Sequence, residues 1–184
     1  MMKKAIIWDL LGTLGGNSRT LISQDFTFFE EAIPALRKAQ ANGYLNIIVT
    51  NQSHINHGRM TQKAYQLALE GLVNQLDEVG IEITAVYTCP HTREEECHCK
   101  KPQSFLVETA VSNHQLEPSQ CYIVGDSGPN DLLLAKNAQM RSILVLTGDG
   151  VRSLTEGRKE WQEARPTHIA RNSLDAVDKI IQSH

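Results

Sequence analysis

The chain has 184 residues, of which 41% are hydrophobic and 21% charged, as expected for a globular protein with a substantial core. Lys and Arg total 18 against 21 Asp and Glu, and the resulting net charge of −3 argues against nucleic acid as a partner. No apolar run approaches the roughly 20 residues of a membrane helix, so we expect a cytoplasmic protein with no membrane partner.

Short apolar runs alternate with longer amphipathic patterns from one end of the chain to the other. This alternation predicts strands over 4–8, 45–49, 83–88, 122–124, 143–146 and 168–170. It predicts helices over 30–42, 60–79, 104–114, 130–139 and 173–181, and a loop over 161–167. In the second helix, Leu67, Leu72 and Leu76 are expected to share one side.

Strands that alternate with helices require right-handed crossovers and therefore a parallel sheet. We expect an α/β fold of three layers, a Rossmann-like parallel sheet with helices on both faces. The sequence contains no repeat, low-complexity stretch or linker, which predicts a single domain over residues 1–184.

Polar residues follow the predicted strands at the edge where ligands bind in such sheets. Asp9 follows the first strand, Thr50 and Asn51 follow the second, Lys101 lies beyond the third, and Asp126 follows the fourth. Each residue alone is typical of a turn, a cap or a solvated surface, but the set together suits phosphate chemistry. Carboxylates bind Mg²⁺, lysine neutralises phosphate, and a carboxylate can attack phosphorus.

Three of the four cysteines lie close together in the polar loop before Pro102. With a nearby histidine they form the ligand set that structural Zn²⁺ prefers, whereas cysteines two positions apart pair poorly as a disulfide. The candidate ligands are Cys89, His91 or His98, Cys97 and Cys99. A zinc ion there would fix the loop and so hold Lys101 in position. The fourth cysteine, Cys121, is expected in the core.

Four motifs in chain order resemble those of the haloacid dehalogenase superfamily: Asp9-Leu10-Leu11-Gly12-Thr13, Thr50-Asn51, Lys101-Pro102 and Gly125-Asp126-Ser127-Gly128-Pro129-Asn130-Asp131. The runs Val49-Thr50-Asn51-Gln52-Ser53, Cys89-Pro90-His91 and Cys97-His98-Cys99-Lys100-Lys101-Pro102 are similar to the heptose bisphosphate and histidinol-phosphate phosphatases. Members of that subgroup lack a large cap domain, which agrees with the short chain. The subgroup's pattern favours His91 as the fourth zinc ligand.

The resemblance implies a Mg²⁺-dependent phosphatase in which Asp9 is the nucleophile and Thr50 and Lys101 are catalytic residues that bind the transferring phosphoryl group. Asn51 belongs to the same phosphate-binding motif. The implied magnesium positions are Asp9, the main-chain carbonyl of Leu11, Asp126 and, as a supporting group or through a metal-bound water, Asp131.

Leu11 departs from the family pattern, which has a second aspartate at this position. The family uses that aspartate as a general acid and then as a base, and leucine can do neither; the loss typically costs about 10²–10⁴-fold. Turnover would then be slow, or limited to substrates with a good leaving group, or supported by another residue such as His54 or His57.

Substrate recognition would fall to loops, and Arg19 or Arg59 could hold a second anionic group. We expect a small phosphorylated metabolite, such as a sugar phosphate or bisphosphate of carbohydrate metabolism, and a monomer or weak homodimer. A phosphate- or phosphosugar-binding protein with impaired turnover is the alternative, and a zinc-dependent interaction module is less well supported.

Overall fold

A computed structural model describes residues 2–23 and 25–183; positions 1, 24 and 184 of the predicted domain lie outside it. Its six strands are β1 (Ala5–Trp8), β2 (Leu45–Asn51), β3 (Ala85–Cys89), β4 (Tyr122–Gly125), β5 (Arg141–Val145) and β6 (His168–Ala170). They form one sheet in the order β3-β2-β1-β4-β5-β6, and all neighbouring pairs are parallel. The predicted parallel sheet is confirmed.

Helices cover both faces of the sheet. They are α1 (Ala32–Ala41), α2 (Gln62–Glu78), α3 (Phe105–His114), α4 (Leu133–Asn137), α5 (Gly150–Leu154) and α6 (Ser173–Gln182). Along β1, Ile6 and Trp8 pack into a cluster with α1, α2 and α6, whereas Ala5 and Ile7 pack with α3 and α4. Because successive strand residues point to opposite faces, this alternation confirms three layers.

The buried side of α2 differs from the prediction. Leu67 is 58% exposed, and the prediction that it shares a side with Leu72 and Leu76 is wrong. The buried side consists of Tyr65, Ala68, Leu72 and Leu76. Residues three and four apart share a helix face, and the five-residue step from Leu67 to Leu72 breaks that spacing. Within 2–23 and 25–183, no helix combines the length and the apolar character needed to cross a bilayer.

The predicted helix over 130–139 begins differently in the structure. A π-helical turn, Gly128–Leu132, comes first, and regular α4 follows it. Such turns are often found at functional sites. Five-residue α5 and the 3₁₀ turn Arg158–Trp161 were not predicted, because elements this short show no clear periodicity.

The register of the sheet determines which strand ends meet. Trp8 pairs with Ile48 of β2 on one side and with Val124 of β4 on the other, and Asp9 N–H donates to the Val124 carbonyl at 2.9 Å. The residues that follow these three strands therefore lie side by side at the carboxyl edge of the sheet.

Candidate active site

Lys101 links two of the strand-end carboxylates. Its Nζ atom lies 2.6 Å from Asp9 Oδ1 and 2.7 Å from Asp131 Oδ1, and it also donates to the Val49 carbonyl at 3.0 Å. The Thr13 hydroxyl donates to the other oxygen of Asp9 at 3.0 Å. Asp9 is therefore held on both oxygens, and the Lys101 ammonium has all three protons directed to oxygen.

Asp126 completes an acidic group with Asp9 and Asp131. One carboxylate oxygen from each of the three lies within 4.8 Å of the others, and all three residues are buried. The Asp149 amide N–H donates to Asp126 Oδ2 at 2.7 Å. Among the described residues no donor reaches Asp126 Oδ1, so this oxygen is available to a cation.

Two glycines make room for the Asp126 carboxylate. A Cβ at Gly12 would lie 2.1 Å from Asp126 Oδ2, and one at Gly148 would lie 2.2 Å from the same atom. Both glycines have positive φ, at +94° and +52°, which L side chains rarely adopt. Thr147 then ties the two loops together by donating from Oγ1 to the Gly12 carbonyl at 2.7 Å.

The crowded carboxylates have perturbed proton affinities. Burial, with the charges of Asp9 and Asp131, raises the pKa of Asp126 to about 8. Burial also raises the pKa of Asp131 to about 6, although the charge of Lys101 opposes that rise. Burial alone would lower the pKa of Lys101, but the charges of Asp131 and Asp9 outweigh it and raise that pKa. The Lys101 ammonium thus contacts two of the three buried carboxyls, and a divalent cation beside the third would favour the ionised form of Asp126.

The donor set suits magnesium better than a softer metal, because its side-chain ligands are all oxygens. Asp131 has both oxygens engaged, Oδ1 by Lys101 and Oδ2 by the Ser127 amide N–H at 3.0 Å. That pattern fits a supporting position, whereas Asp126 keeps an oxygen free.

A cavity of about 370 Å³ opens above these carboxylates. Of the residues predicted to bind substrate, Asn51, Lys101 and Arg59 line it, whereas Arg19 and Thr50 are not among the lining residues. Arg19 is an exposed loop residue. Thr50 is 1% exposed, and its hydroxyl accepts a hydrogen bond from Gln52 Nε2 at 2.9 Å. The structure therefore brings together only part of the predicted phosphate-binding set.

Asn51 acts as a brace between β2 and the loop that carries Lys101. The Lys101 amide N–H donates to Asn51 Oδ1 at 3.0 Å, and Asn51 Nδ2 donates back to the Lys101 carbonyl at 3.4 Å. This pairing fixes the backbone from which the Lys101 side chain reaches Asp9.

The predicted zinc ligands converge at the end of β3 and in the loop that follows it. Cys89, His91, Cys97 and Cys99 each place a ligand atom within 4.8 Å of the others. The separations are 3.1 Å from His91 Nδ1 to Cys99 Sγ and 3.1 to 3.6 Å between the sulfurs. These values are close to the spacing of about 3.8 Å that Zn–S bonds of about 2.3 Å impose on a tetrahedron. Three thiols and an imidazole therefore fit zinc.

His98 takes no part in this cluster. Its ring packs edge-on against Phe105, with the ring centroids 5.9 Å apart. Of the two histidines considered as the fourth ligand, the structure places His91 among the cysteines. Cys121 is fully buried in the core, as expected.

Side-chain hydrogen bonds join the cysteine loop to the loop after β2. Lys100 Nζ donates to the Ser53 hydroxyl and, at 3.0 Å, to the His91 carbonyl. Asn56 Nδ2 donates to Glu95 Oε1 at 2.8 Å. A metal in the cysteine cluster would thereby restrain both walls of the cavity.

Three contributors to the site were not assigned a role from the sequence. Thr13 holds Asp9, the Asp149 backbone holds Asp126, and the contact between Ser53 and Lys100 joins the loops. The polar run Thr147-Gly148-Asp149-Gly150 after the fifth strand was the signal available for Asp149. The other contacts depend on side-chain directions that spacing does not reveal.

Comparisons with known proteins agree with this arrangement. The HAD-hydrolase-like family matches residues 98–176. A D-glycero-beta-D-manno-heptose-1,7-bisphosphate 7-phosphatase from Haemophilus ducreyi is 35% identical over 169 residues, covering 87% of this chain and 91% of that protein. The protein of the same name from Haemophilus influenzae is 33% identical over 168 residues, covering 87% and 91%.

A solved structure shares the whole fold. The D,D-heptose 1,7-bisphosphate phosphatase from B. bronchiseptica, complexed with magnesium and phosphate, superposes with a TM-score of 0.88 at 22% identity, covering 100% of both chains. The family resemblance inferred from the motifs is confirmed by these relatives. The chain belongs to the haloacid dehalogenase-like hydrolases, within the family of phosphatases that includes the two Haemophilus proteins.

Proposed function

We propose that the protein is a Mg²⁺-dependent phosphatase that uses Asp9 as a nucleophile on a small phosphorylated sugar. The observation that carries this proposal is the position of Lys101, whose ammonium contacts both Asp9 and Asp131 at the floor of the cavity. A cation beside the nucleophile lowers the repulsion between a carboxylate and an incoming phosphate dianion.

In the proposed reaction, an Asp9 carboxylate oxygen attacks phosphorus, and the bond from phosphorus to the leaving oxygen breaks. Water then attacks the same phosphorus, and Asp9 is released together with inorganic phosphate. Thr13 and Lys101 hold the carboxylate in place for this attack. Asp9, Asp126 and the Leu11 carbonyl would hold a magnesium ion that neutralises the phosphoryl oxygens.

The outer cavity wall supports a substrate with a second anionic group. Arg59, Arg93 and Lys100 line the same cavity as the three carboxylates. The cavity is thus lined by both acidic and cationic side chains. A sugar bisphosphate matches this combination, with one phosphate at Asp9 and the other bound by the cations. The names of the relatives make heptose 1,7-bisphosphate the first compound to test.

We infer a structural role for zinc at Cys89, His91, Cys97 and Cys99. All four coordination positions would be filled by protein, which leaves none for a substrate. The ion would hold the loop that supplies Lys100 and Lys101 to the cavity.

The test compares wild type with Asp9→Asn on heptose 1,7-bisphosphate and on 4-nitrophenyl phosphate, with Mg²⁺ and with EDTA. Asp77→Asn, a change on the exposed side of α2, is the matched control. We expect Mg²⁺-dependent phosphate release by wild type and by the control, and a loss of at least about 10³-fold in Asp9→Asn. Equal release by Asp9→Asn would contradict the nucleophile assignment.

Leu11 favours a second candidate, a phosphosugar-binding protein of the same fold with impaired turnover. This candidate predicts saturable binding of heptose 1,7-bisphosphate in calorimetry with no Asp9-dependent release from either compound. Turnover of either compound that Asp9→Asn abolishes would exclude it.

A further inference from the structure

Leu11 leaves the proposed reaction without a proton carrier next to the nucleophile. Its side chain lines the cavity with Asp9 and also packs against the hydrophobic core. A saturated side chain neither donates nor accepts a proton. An alkoxide leaving group still needs a proton, and the attacking water must lose one. Another group on the cavity wall must therefore perform both transfers if alkyl phosphates are to be hydrolysed efficiently.

His54 lies on the wall of that cavity with a ring nitrogen unengaged. The residue is 9% exposed, and its Nδ1 atom is buried without a hydrogen-bond partner among the described residues. Buried polar atoms in folded proteins almost always have partners, so an unpaired imidazole nitrogen at a ligand cavity calls for an explanation. A turn of the imidazole ring would present this nitrogen to a substrate oxygen or a water molecule in the cavity.

Hydrogen bonds fix the backbone of the loop that carries His54. The Arg59 amide N–H donates to the His54 carbonyl at 2.9 Å, and the Ile55 amide N–H donates to the Gln52 carbonyl at 3.1 Å. Ser53 donates to the His91 carbonyl at 2.8 Å, which ties the loop to the zinc-ligand segment. A proton carrier must be held in place to act, and this loop meets that requirement.

Several other ionisable groups of the cavity wall are already engaged. Lys101 has three oxygen partners, Lys100 donates to Ser53 and to the His91 carbonyl, and Asp149 pairs with Arg152 at 3.1 Å. Arginine does not lose its proton in proteins. His57 also lines the cavity, but it is exposed, whereas His54 is buried.

We propose that His54 is the general acid and base of this site and replaces the carboxylate that Leu11 displaces. The inference rests on the proposed phosphatase function. In the first step, Asp9 attacks phosphorus, and the imidazolium of His54 gives its proton to the departing sugar oxygen. In the second step, the neutral imidazole takes a proton from the water that attacks the aspartyl-phosphate. Phosphate and Asp9 are released, and the imidazolium is restored.

The surroundings of His54 set its proton affinity. Burial lowers the pKa of His54. A hydrogen bond with the Ser18 backbone raises that pKa, and the charges of Arg59 and His57 lower it. Arg93 and Lys100 line the same cavity as His54, and so do the carboxylates of Asp9, Asp126, Asp131 and Asp149. An imidazole ring can both give and take a proton within one catalytic cycle.

The test uses His54→Asn, with His57→Asn as the matched control one turn along the same loop. For His54→Asn we expect kcat/KM on heptose 1,7-bisphosphate to fall about 10²-fold, because its alkoxide needs the proton. On 4-nitrophenyl phosphate, whose leaving group departs unaided, kcat/KM should change less than about threefold. His57→Asn should stay within about threefold of wild type on both compounds.

Two further measurements separate a chemical role from a structural one. The double variant Leu11→Asp with His54→Asn should have a kcat/KM at least about tenfold higher than His54→Asn alone, because a carboxyl then occupies the position where the family has one. Binding of Mg²⁺ and of inorganic phosphate should be the same in His54→Asn and wild type. An equal loss on both compounds, no recovery with Leu11→Asp, or an equal effect of His57→Asn would overturn the assignment. Absence of any Asp9-dependent turnover in wild type would instead refute the proposed function itself.

Discussion

Lys101 Nζ lies 2.7 Å from Asp131 Oδ1 in an ion pair almost sealed from solvent, with 3% and 1% of the two side chains exposed. The loss of one partner leaves an uncompensated buried charge, which typically costs about 3–5 kcal/mol. The pair also connects the cysteine loop to the π-helical turn before α4. It is therefore both a structural link and part of the proposed site.

We predict that Lys101→Met lowers the free energy of unfolding of the metal-free protein by about 3 kcal/mol, as measured by urea denaturation. The double variant Lys101→Met with Asp131→Asn should lose less than the sum of the single variants, because both sides of the pair are then neutral. Lys38→Met, at an exposed pair with Asp178, serves as the control and should cost less than about 1 kcal/mol. If the losses of the two single variants add up to the loss of the double variant, Lys101 and Asp131 are not energetically coupled.

The metal-free protein should become less stable as the pH rises from about 5 to about 8. The folded state raises the pKa of Asp131 from 3.8 to about 6 and that of Asp126 from 3.8 to about 8. The stability that these protons contribute is fully present below pH about 4 and is lost as the pH passes through the two folded-state values.

Melting temperatures of the EDTA-treated protein, compared with Asp126→Asn, measure this effect. Wild type should lose on the order of 5 °C more than the variant between pH 5 and pH 8. Mg²⁺ should restore more stability at pH 8 than at pH 5, since a metal competes with the proton of Asp126. Parallel pH curves for the two proteins would be inconsistent with a raised pKa at Asp126.

Zinc content should discriminate between the two histidines of the cysteine loop. We expect one zinc ion per chain in wild type and in His98→Asn, and a clear loss in His91→Asn, measured by atomic emission after dialysis. The reason is geometric, because His91 Nδ1 lies 3.1 Å from Cys99 Sγ whereas the His98 ring packs on Phe105. Cys121→Ser should retain zinc, and metal loss in His98→Asn alone would reverse the ligand assignment.

Gly148→Ala should weaken Mg²⁺ binding by more than about tenfold, because its Cβ would overlap Asp126 Oδ2. Gly80→Ala is a matched control: Gly80 also has positive φ, at +77°, but a Cβ there meets nothing within 4 Å. Gly80→Ala should lower the free energy of unfolding by about 1 kcal/mol through backbone strain and leave the Mg²⁺ affinity unchanged. Calorimetric titration of both variants measures the difference, and equal affinities would refute a steric role for Gly148.

Local patterns in the sequence predicted much of the fold and the zinc-ligand set. The strands and longer helices follow from apolar periodicity, and the four-ligand set follows from residue type and spacing along one short loop. The same reasoning was wrong at Leu67. Leu72 and Leu76 have helical spacing and are buried, but Leu67, which was predicted to share their side, faces solvent. The five-residue helix α5 was not predicted, because so short a helix shows no apolar periodicity.

By itself, the sequence determined which chemistry is present: carboxylates at strand ends, a lysine ahead of a proline, thiols in one loop, and a leucine where the family has an acid. Only the tertiary structure decided which of these groups touch. Lys101 and Asp9 are 92 positions apart and meet at 2.6 Å because parallel strands bring their carboxyl ends to one edge. The same packing buries His54 at the cavity, leaves Arg19 outside it, and engages both oxygens of Asp131. Those outcomes depend on long-range register and side-chain direction, which no local spacing encodes.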